Sequence, residues 1–328
     1  MLLQIFRNAG RIAVYALVLS LISTPIILAE GQAEEDIAVD EEPFVEFVEV
    51  NWLDIEATTG ITRTVVEALG YETDSSDVSV PVAFQGLESG DADVFLGIWM
   101  PSMQSEYTEF VENGSVEEVR MNLEGARYTL AVPQYVYDAG VTSIADLADH
   151  EEEFGGEIYG IEPGNDGNQL ILDMIDDDAF GLSGWELVES SEAAMLSEVG
   201  NAISNEEWIA FLGWEPHPMN TRYDMDFLAD GDDYFGPDYG AATVHTAARE
   251  GFIEESPNIG QFFQNLQFTL EMENQLMLMI DEEGMDAQEA GREWLQENPG
   301  ILDEWLDGVV AVDGTDGVDA VRAELGID

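Results

Sequence analysis

The chain has 328 residues, 45% of them hydrophobic, which is enough for one large or two ordinary domains with proper cores. It carries 70 acidic residues against 9 basic ones, all of them Arg, for a formal net charge of −61; such a surface repels nucleic acid and anionic lipid head groups, so neither is expected as a partner. Cys is absent, which excludes disulfides, a thiolate metal site, a cysteine nucleophile and a lipid-anchored N-terminal Cys.

The first 29 residues hold no acid. Arg7 and Arg11 precede a nearly all-apolar run from Ile12 to Leu28, and Ala29 offers a small residue for cleavage. This is the pattern of a secretory signal peptide over residues 1–29. Ser20, Ser23, Thr24 and Pro25 interrupt the run and make it a poor membrane-spanning helix. Cleavage is expected after Ala29 or Ala33, leaving a protein free in the periplasm. From there on the acids are spread through every segment instead of forming one tail. We read this as adaptation to brine, where salt near 1 M shortens the Debye length to about 3 Å and relieves self-repulsion.

After a polar lead, FVEFVEV (44–50) reads as a strand and the span from Ile55 to Leu69 as a helix that Gly70 can end. A helical turn follows around Phe84 to Ser89, then the strand DVFLG (93–97). SVEEVRM and ARYTLAV read as two strand-like runs joined by LEG. EIYGIEP (157–163) is a strand leading through GNDGN into the helix of NQLILDMI; WELVE (185–189) precedes a helix near Ala193 to Ala202, and WIAFLG (208–213) is the next strand. After the loop-rich DGDDYFGPDYG, the strand ATVHT (242–246) opens a mostly helical C-terminal third. Alternating strands and helices predict an α/β chain with two parallel-rich sheets. The groups divide near 120–125 and again near 230–240, which predicts two lobes with two crossings between them.

Open parallel sheets bind ligands beyond the carboxyl ends of their strands. At those ends the sequence has NWLD, IWMP, GNDGN and WEPHP. Trp52, Trp99 and Trp214 therefore stand at strand exits, whereas Trp185, Trp208, Trp294 and Trp305 read as core. A cation unable to donate hydrogen bonds suits several indoles with almost no basic residue nearby, since each aromatic face attracts it by roughly 0.5–2 kcal/mol. Quaternary ammonium is that ligand. In brine a site of exposed carboxylates alone would be screened, while a desolvated aromatic site keeps its selectivity.

The motifs WLDIEATTGIT, DADVFLGIWMPSM, LEGARYTLAV, YGIEPGNDGNQLILDM, FLGWEPHPMN and FGPDYGAATVHT resemble, in order and spacing, those of the choline-binding periplasmic proteins of ABC importers, within the wider betaine and quaternary-ammonium substrate-binding family. The likeness covers essentially the whole mature chain. One departure is Ile98, which stands where a polar Asn is expected before the Trp. The resemblance implies a two-lobe periplasmic binding protein fold, with lobe 1 formed by 30–122 and 234–328 and lobe 2 by 123–233. It further implies a box in which Trp52, Trp99, Tyr128 and Trp214 enclose a trimethylammonium group. Asp54 would supply negative charge and Asn165 would hydrogen-bond the ligand's hydroxyl, with the lobes closing about their hinge. The partners implied are choline and the inner-membrane permease, with no cofactor and a monomeric state. Read from the residues alone, other roles stay open: Tyr128 as core, Asp54 as a helix N-cap, and Asn165 as a turn residue.

A betaine carboxylate requires donors, ideally cationic. Basic groups near these motifs are few, chiefly Arg127, expected to face away from Tyr128, and His217; Asp54 would repel a carboxylate, so choline is placed first, with acetylcholine and glycine betaine left open. Enzymatic signatures are weak. His150, His217 and His245 are scattered, there is no G-x-S-x-G elbow, and GNDGN and DGDD do not complete a calcium loop. The rival readings are a periplasmic choline-ester hydrolase using the same box and a calcium-storing acidic envelope protein.

Overall fold

The computed structural model describes residues 43–327, so the expected signal peptide lies outside the described residues. Among the described residues nine strands occur in chain order: β1 (Phe44–Glu49), β2 (Glu72–Asp77), β3 (Val94–Met100), β4 (Val116–Pro133), β5 (Glu157–Tyr159), β6 (Glu186–Val188), β7 (Ala210–Glu215), β8 (Met225–Phe227) and β9 (Ala241–Arg249). Their hydrogen-bonded order is β2-β1-β3-β9-β4-β7-β5-β6, with β8 paired to β4. At one end β1, β2 and β3 are mutually parallel, and at the other β5, β6 and β7 are. These are the two parallel groups expected from the sequence, and each forms the core of one half of a two-domain periplasmic binding protein fold.

The junction differs in detail from the expectation. The two groups are bonded into one continuous path because β4 and β9, both antiparallel to their neighbours, run between them. The strand-like runs expected on either side of LEG are a single 18-residue strand, β4, with register shifts between Glu118 and Arg120, Met121 and Leu123, and Leu123 and Ala126. Its first part pairs with β9 and its last part with β7 and β8, so one strand serves both halves.

The two similar runs FLGIWM and FLGWE are explained by their place in the sheet. β3 lies between β1 and β9, and β7 between β4 and β5; both are buried along nearly their whole length. A strand covered on both faces reads as a continuous apolar run. Each ends in a cis X-Pro bond, Met100–Pro101 and Glu215–Pro216.

The helix Leu53–Ala68 (α1) follows β1 and ends at Leu69, beyond which Gly70 takes φ 95°, the left-handed conformation common after a helix. α1 is buried along Ile55, Ile61, Val65 and Val66 because the C-terminal helices Leu270–Asp281 and Ala287–Glu297 pack on it. The approach to the second of these is very close: a Cβ on Gly60 would sit 2.5 Å from the Ala287 Cβ, and one on Gly291 would sit 2.6 Å from the Ile61 Cα.

Candidate functional site

β1 delivers the chain to Trp52, which occupies the N-cap position of α1 with extended backbone (φ −115°, ψ 139°) and no side-chain cap. Asp54 is therefore in the first helical turn and is not the N-cap. Trp99 and Trp214 lie inside β3 and β7, one residue before each strand ends, instead of just beyond it as expected. The hydrogen bonding of β3 to β9 and of β7 to β4 continues through both tryptophans, which extends the strands past the glycine that suggested their ends. Tyr128 of β4 is the direct cross-strand partner of Trp214.

Asn165 caps the helix Asp166–Asp176 by accepting from the Asn168 N–H (3.0 Å). Its φ of −68° is ordinary, so a demand for left-handed backbone does not explain it. The Tyr128 hydroxyl donates to the same Asn165 Oδ1 at 3.0 Å, while Asn165 Nδ2 donates to Asp166 Oδ1 at 3.1 Å. This contact depends on Gly167, where a Cβ would fall 2.0 Å from the Tyr128 oxygen.

All six sequence-predicted residues, Trp52, Asp54, Trp99, Tyr128, Asn165 and Trp214, line one small cavity. Each is nearly fully buried. Tyr128 sits between the two strand-borne indoles, with ring centroids 5.9 Å from Trp99 and 6.2 Å from Trp214; the latter pair is edge-on at 82°. Such geometry lets the rings turn faces toward a shared space while still packing on one another. Two further residues complete the lining, Ile161 and Asp166, and sequence reasoning missed both. Asp166 was present in the quoted GNDGN, but nothing in a turn of that composition distinguishes the residue that caps from the one that faces a cavity.

The site is acidic. Asp54 Oδ2 accepts from Trp99 Nε1 at 3.2 Å, and burial first, then the charge of Glu192, raises the Asp54 carboxyl to about 7. Burial likewise raises Asp166 to about 7, and its buried Oδ2 has no hydrogen-bond partner. Behind Asp54, the buried Glu273 is pushed well above the usual carboxylate range by desolvation and then by Asp54. Burial holds Tyr128 well above 10, so its hydroxyl stays protonated and acts as a donor.

Among the described residues no basic side chain lines the cavity. The Arg127 guanidinium lies over the Phe227 ring at 5.0 Å. His217 packs edge-on to Trp214 at 5.0 Å and turns its nitrogens to Glu192 and the Met219 N–H. Ile98, the departure noted in the sequence, is fully buried in β3 and outside the cavity lining. Of the tryptophans expected in the core, Trp185, Trp294 and Trp305 are buried, and Trp208 is half-buried against His150 and Phe154 just before β7. Among the described residues no group of three or more His, Asp or Glu side chains could hold a metal ion.

A cavity enclosed by side chains from both parallel groups, at the carboxyl ends of their strands, is the arrangement of a two-domain substrate-binding protein. The chain belongs to the family described as the substrate binding domain of the ABC-type glycine betaine transport system, whose profile matches residues 44–297. It is similar to a solved ABC-transporter choline binding protein in complex with choline, at 50% identity and a TM-score of 0.85, covering 87% of this chain and 98% of that one. It is 34% identical over 163 residues to the glycine betaine/carnitine transport binding protein GbuC of Listeria monocytogenes; the match spans 50% of this chain and about half (53%) of that protein. It is also 59% identical over 126 residues to the uncharacterised protein ORF1 of Chromohalobacter salexigens, covering 38% of this chain and 81% of that one. These relatives include substrate-binding proteins of ABC transporters.

Proposed function

We propose that this protein captures choline outside the cytoplasm and delivers it to the permease of an ABC importer, acting as a binder and not as an enzyme. The observation that carries the reading is the lining of the cavity: three indoles, one phenol and two buried carboxyls, with no cation among them. Trp52, Trp99, Tyr128 and Trp214 form an aromatic box around the trimethylammonium group, whose methyl surface and diffuse charge suit ring faces. Asp54 supplies the counter-charge. Asn165, with one Nδ2 proton directed to Asp166, retains a second for the ligand's hydroxyl oxygen. On this reading lobe 1 comprises 30–122 and 234–328, lobe 2 comprises 123–233, and the exported protein is a monomer released by cleavage of the signal peptide.

Glycine betaine is the second reading, favoured by the family description and by the match to GbuC. Its carboxylate would enter a cavity that already holds Asp54 and Asp166 and would find no cationic donor, so choline ranks first. Calorimetry with choline, glycine betaine and acetylcholine in molar salt tests the order. Choline is expected to bind with micromolar or tighter affinity and betaine more weakly. Betaine binding without choline binding would overturn the role given to Asp54, and turnover of acetylcholine would favour the hydrolase.

A further inference from the structure

Two glutamates from the β5–β7 half reach the start of α1 without lining the cavity. Glu162, just beyond β5, accepts from Trp52 Nε1 at 2.8 Å. Glu192, the first residue of the helix Glu192–Asn205, accepts from the Leu53 backbone N–H through Oε2 at 3.3 Å. Its other oxygen, Oε1, faces His217 Nε2 at 3.1 Å. The Met219 N–H donates to His217 Nδ1 at 3.0 Å, which requires the imidazole proton to sit on Nε2 and directs it to Glu192. His217 is 1% exposed and rests against Trp214. A polar path thus runs from the Leu53 N–H, through Glu192 and His217, to the Trp214 indole on the opposite wall, and the Trp52–Glu162 bond lies beside it.

A further link, the ion pair of Arg222, at the end of the helix Met219–Arg222, with Asp281, at the end of the helix Leu270–Asp281, is about one-third exposed. Salt screens such a pair. Bonds from an indole N–H and a backbone N–H to partly buried carboxylates are short-range and keep their strength in brine.

We propose that Glu162 and Glu192 are positioning residues that latch the two halves in the closed state, each accepting from one of two adjacent residues, Trp52 and Leu53, and so fixing the Trp52 wall without touching the ligand. The proposal rests on the quaternary-ammonium reading above. A latch of this kind acts on the population of the closed state, so losing it lowers the affinity for every ligand by one common factor. A residue that touches the ligand changes its preference instead.

The test compares Glu162→Ala, Glu162→Gln and Glu192→Ala with the unaltered protein, using choline and tetramethylammonium as probes in molar salt. Calorimetry gives affinity, stopped-flow Trp fluorescence gives rates, and thermal unfolding of the ligand-free protein checks folding. Both Ala variants are expected to weaken both probes equally, by about 5- to 30-fold, mostly through faster dissociation. Glu162→Gln, which keeps an acceptor for Trp52 Nε1, is expected to restore most of the affinity. Unchanged affinity, a loss confined to choline, or a Gln variant as weak as the Ala variant would each overturn the latch. If Glu192→Ala does not fold, the Glu162 pair carries the test alone. Failure of the unaltered protein to bind either probe would overturn the quaternary-ammonium reading and the latch together, whereas normal binding with unaffected variants overturns only the latch.

Discussion

Asp54 is a buried carboxyl beside an indole N–H, with another carboxylate, Glu192, close enough to oppose its ionisation. Both it and Asp166 are raised to about 7, so both change charge near neutrality. A cationic ligand favours the ionised forms, and its binding therefore releases protons. Choline affinity is expected to rise from about pH 5.5 to about pH 8 and then level off, with the released protons visible in calorimetry as a dependence on buffer ionisation enthalpy. Asp54→Asn is expected to cost roughly 10- to 100-fold at the upper end of this range, the usual loss for a charged hydrogen-bonding group of about 1.5–3 kcal/mol. It should flatten only part of the pH profile, the rest disappearing when Asp166→Asn is added. Stability of the ligand-free protein runs the other way. Between the ordinary value of 3.8 and about 7 the folded state binds more protons at these two sites than the unfolded chain does, so their contribution falls as pH rises through that window and is constant above it. At this scale much of the site was legible in the sequence. Trp52, Trp99 and Trp214 could be singled out because each follows an apolar run at or near a strand's carboxyl end, although Trp99 and Trp214 prove to lie one residue inside it. Asp166 and Glu192 could not be, because among 70 acids nothing local tells a buried one from a solvated one.

α1 carries Trp52 at its N-cap and Asp54 on its first turn, so its position sets one wall of the cavity. That position is fixed at the other side of the helix, where Gly60 meets Ala287 and Gly291 meets Ile61 with no room for a further methyl group. Gly60→Ala must push α1 away from the helix Ala287–Glu297. Overpacking of this kind costs about 1–3 kcal/mol, well beyond the gain in helix propensity of up to about 1 kcal/mol. The expected outcome is a lower midpoint of thermal unfolding together with weaker choline binding, since the wall moves with the helix. An unchanged midpoint would show that the C-terminal helices yield instead. A helix from Ile55 to Leu69 and a mostly helical C-terminal third were readable in the sequence. Their contact was not, because the two glycines are more than 200 residues apart and each alone reads as an ordinary weak point in a helix.

Across the whole molecule the strongest electrostatic influence is a net charge of −61 carried with only nine arginines. Several of those arginines are already committed to exposed ion pairs, such as Arg63 with Glu67 and Arg322 with Asp303. These pairs weaken as salt rises, but the far more numerous like-charge repulsions weaken with them. We expect the unfolding midpoint to climb steadily from about 0.1 M to about 2 M sodium chloride, over which the Debye length falls from about 10 Å to below about 3 Å. A flat or falling midpoint would remove the case for adaptation to brine. Choline affinity should change far less over the same range, because the ring faces proposed to hold the cation are buried.

By itself the sequence determined what local patterns carry: the alternation of strands and helices, the apolar runs of the two central strands, the acidic surface, and the residue types suited to a methylated cation. The tertiary structure alone decided what depends on distant segments meeting. It made β4 one continuous strand bonded to both halves, left the Asp166 Oδ2 without a partner, and set Glu162 and Glu192 against the start of α1. The reason is physical: propensity and hydrophobic pattern act over a few residues, whereas burial, the ionisation of a carboxyl and a hydrogen bond across a cleft are set by whatever part of the chain arrives from elsewhere.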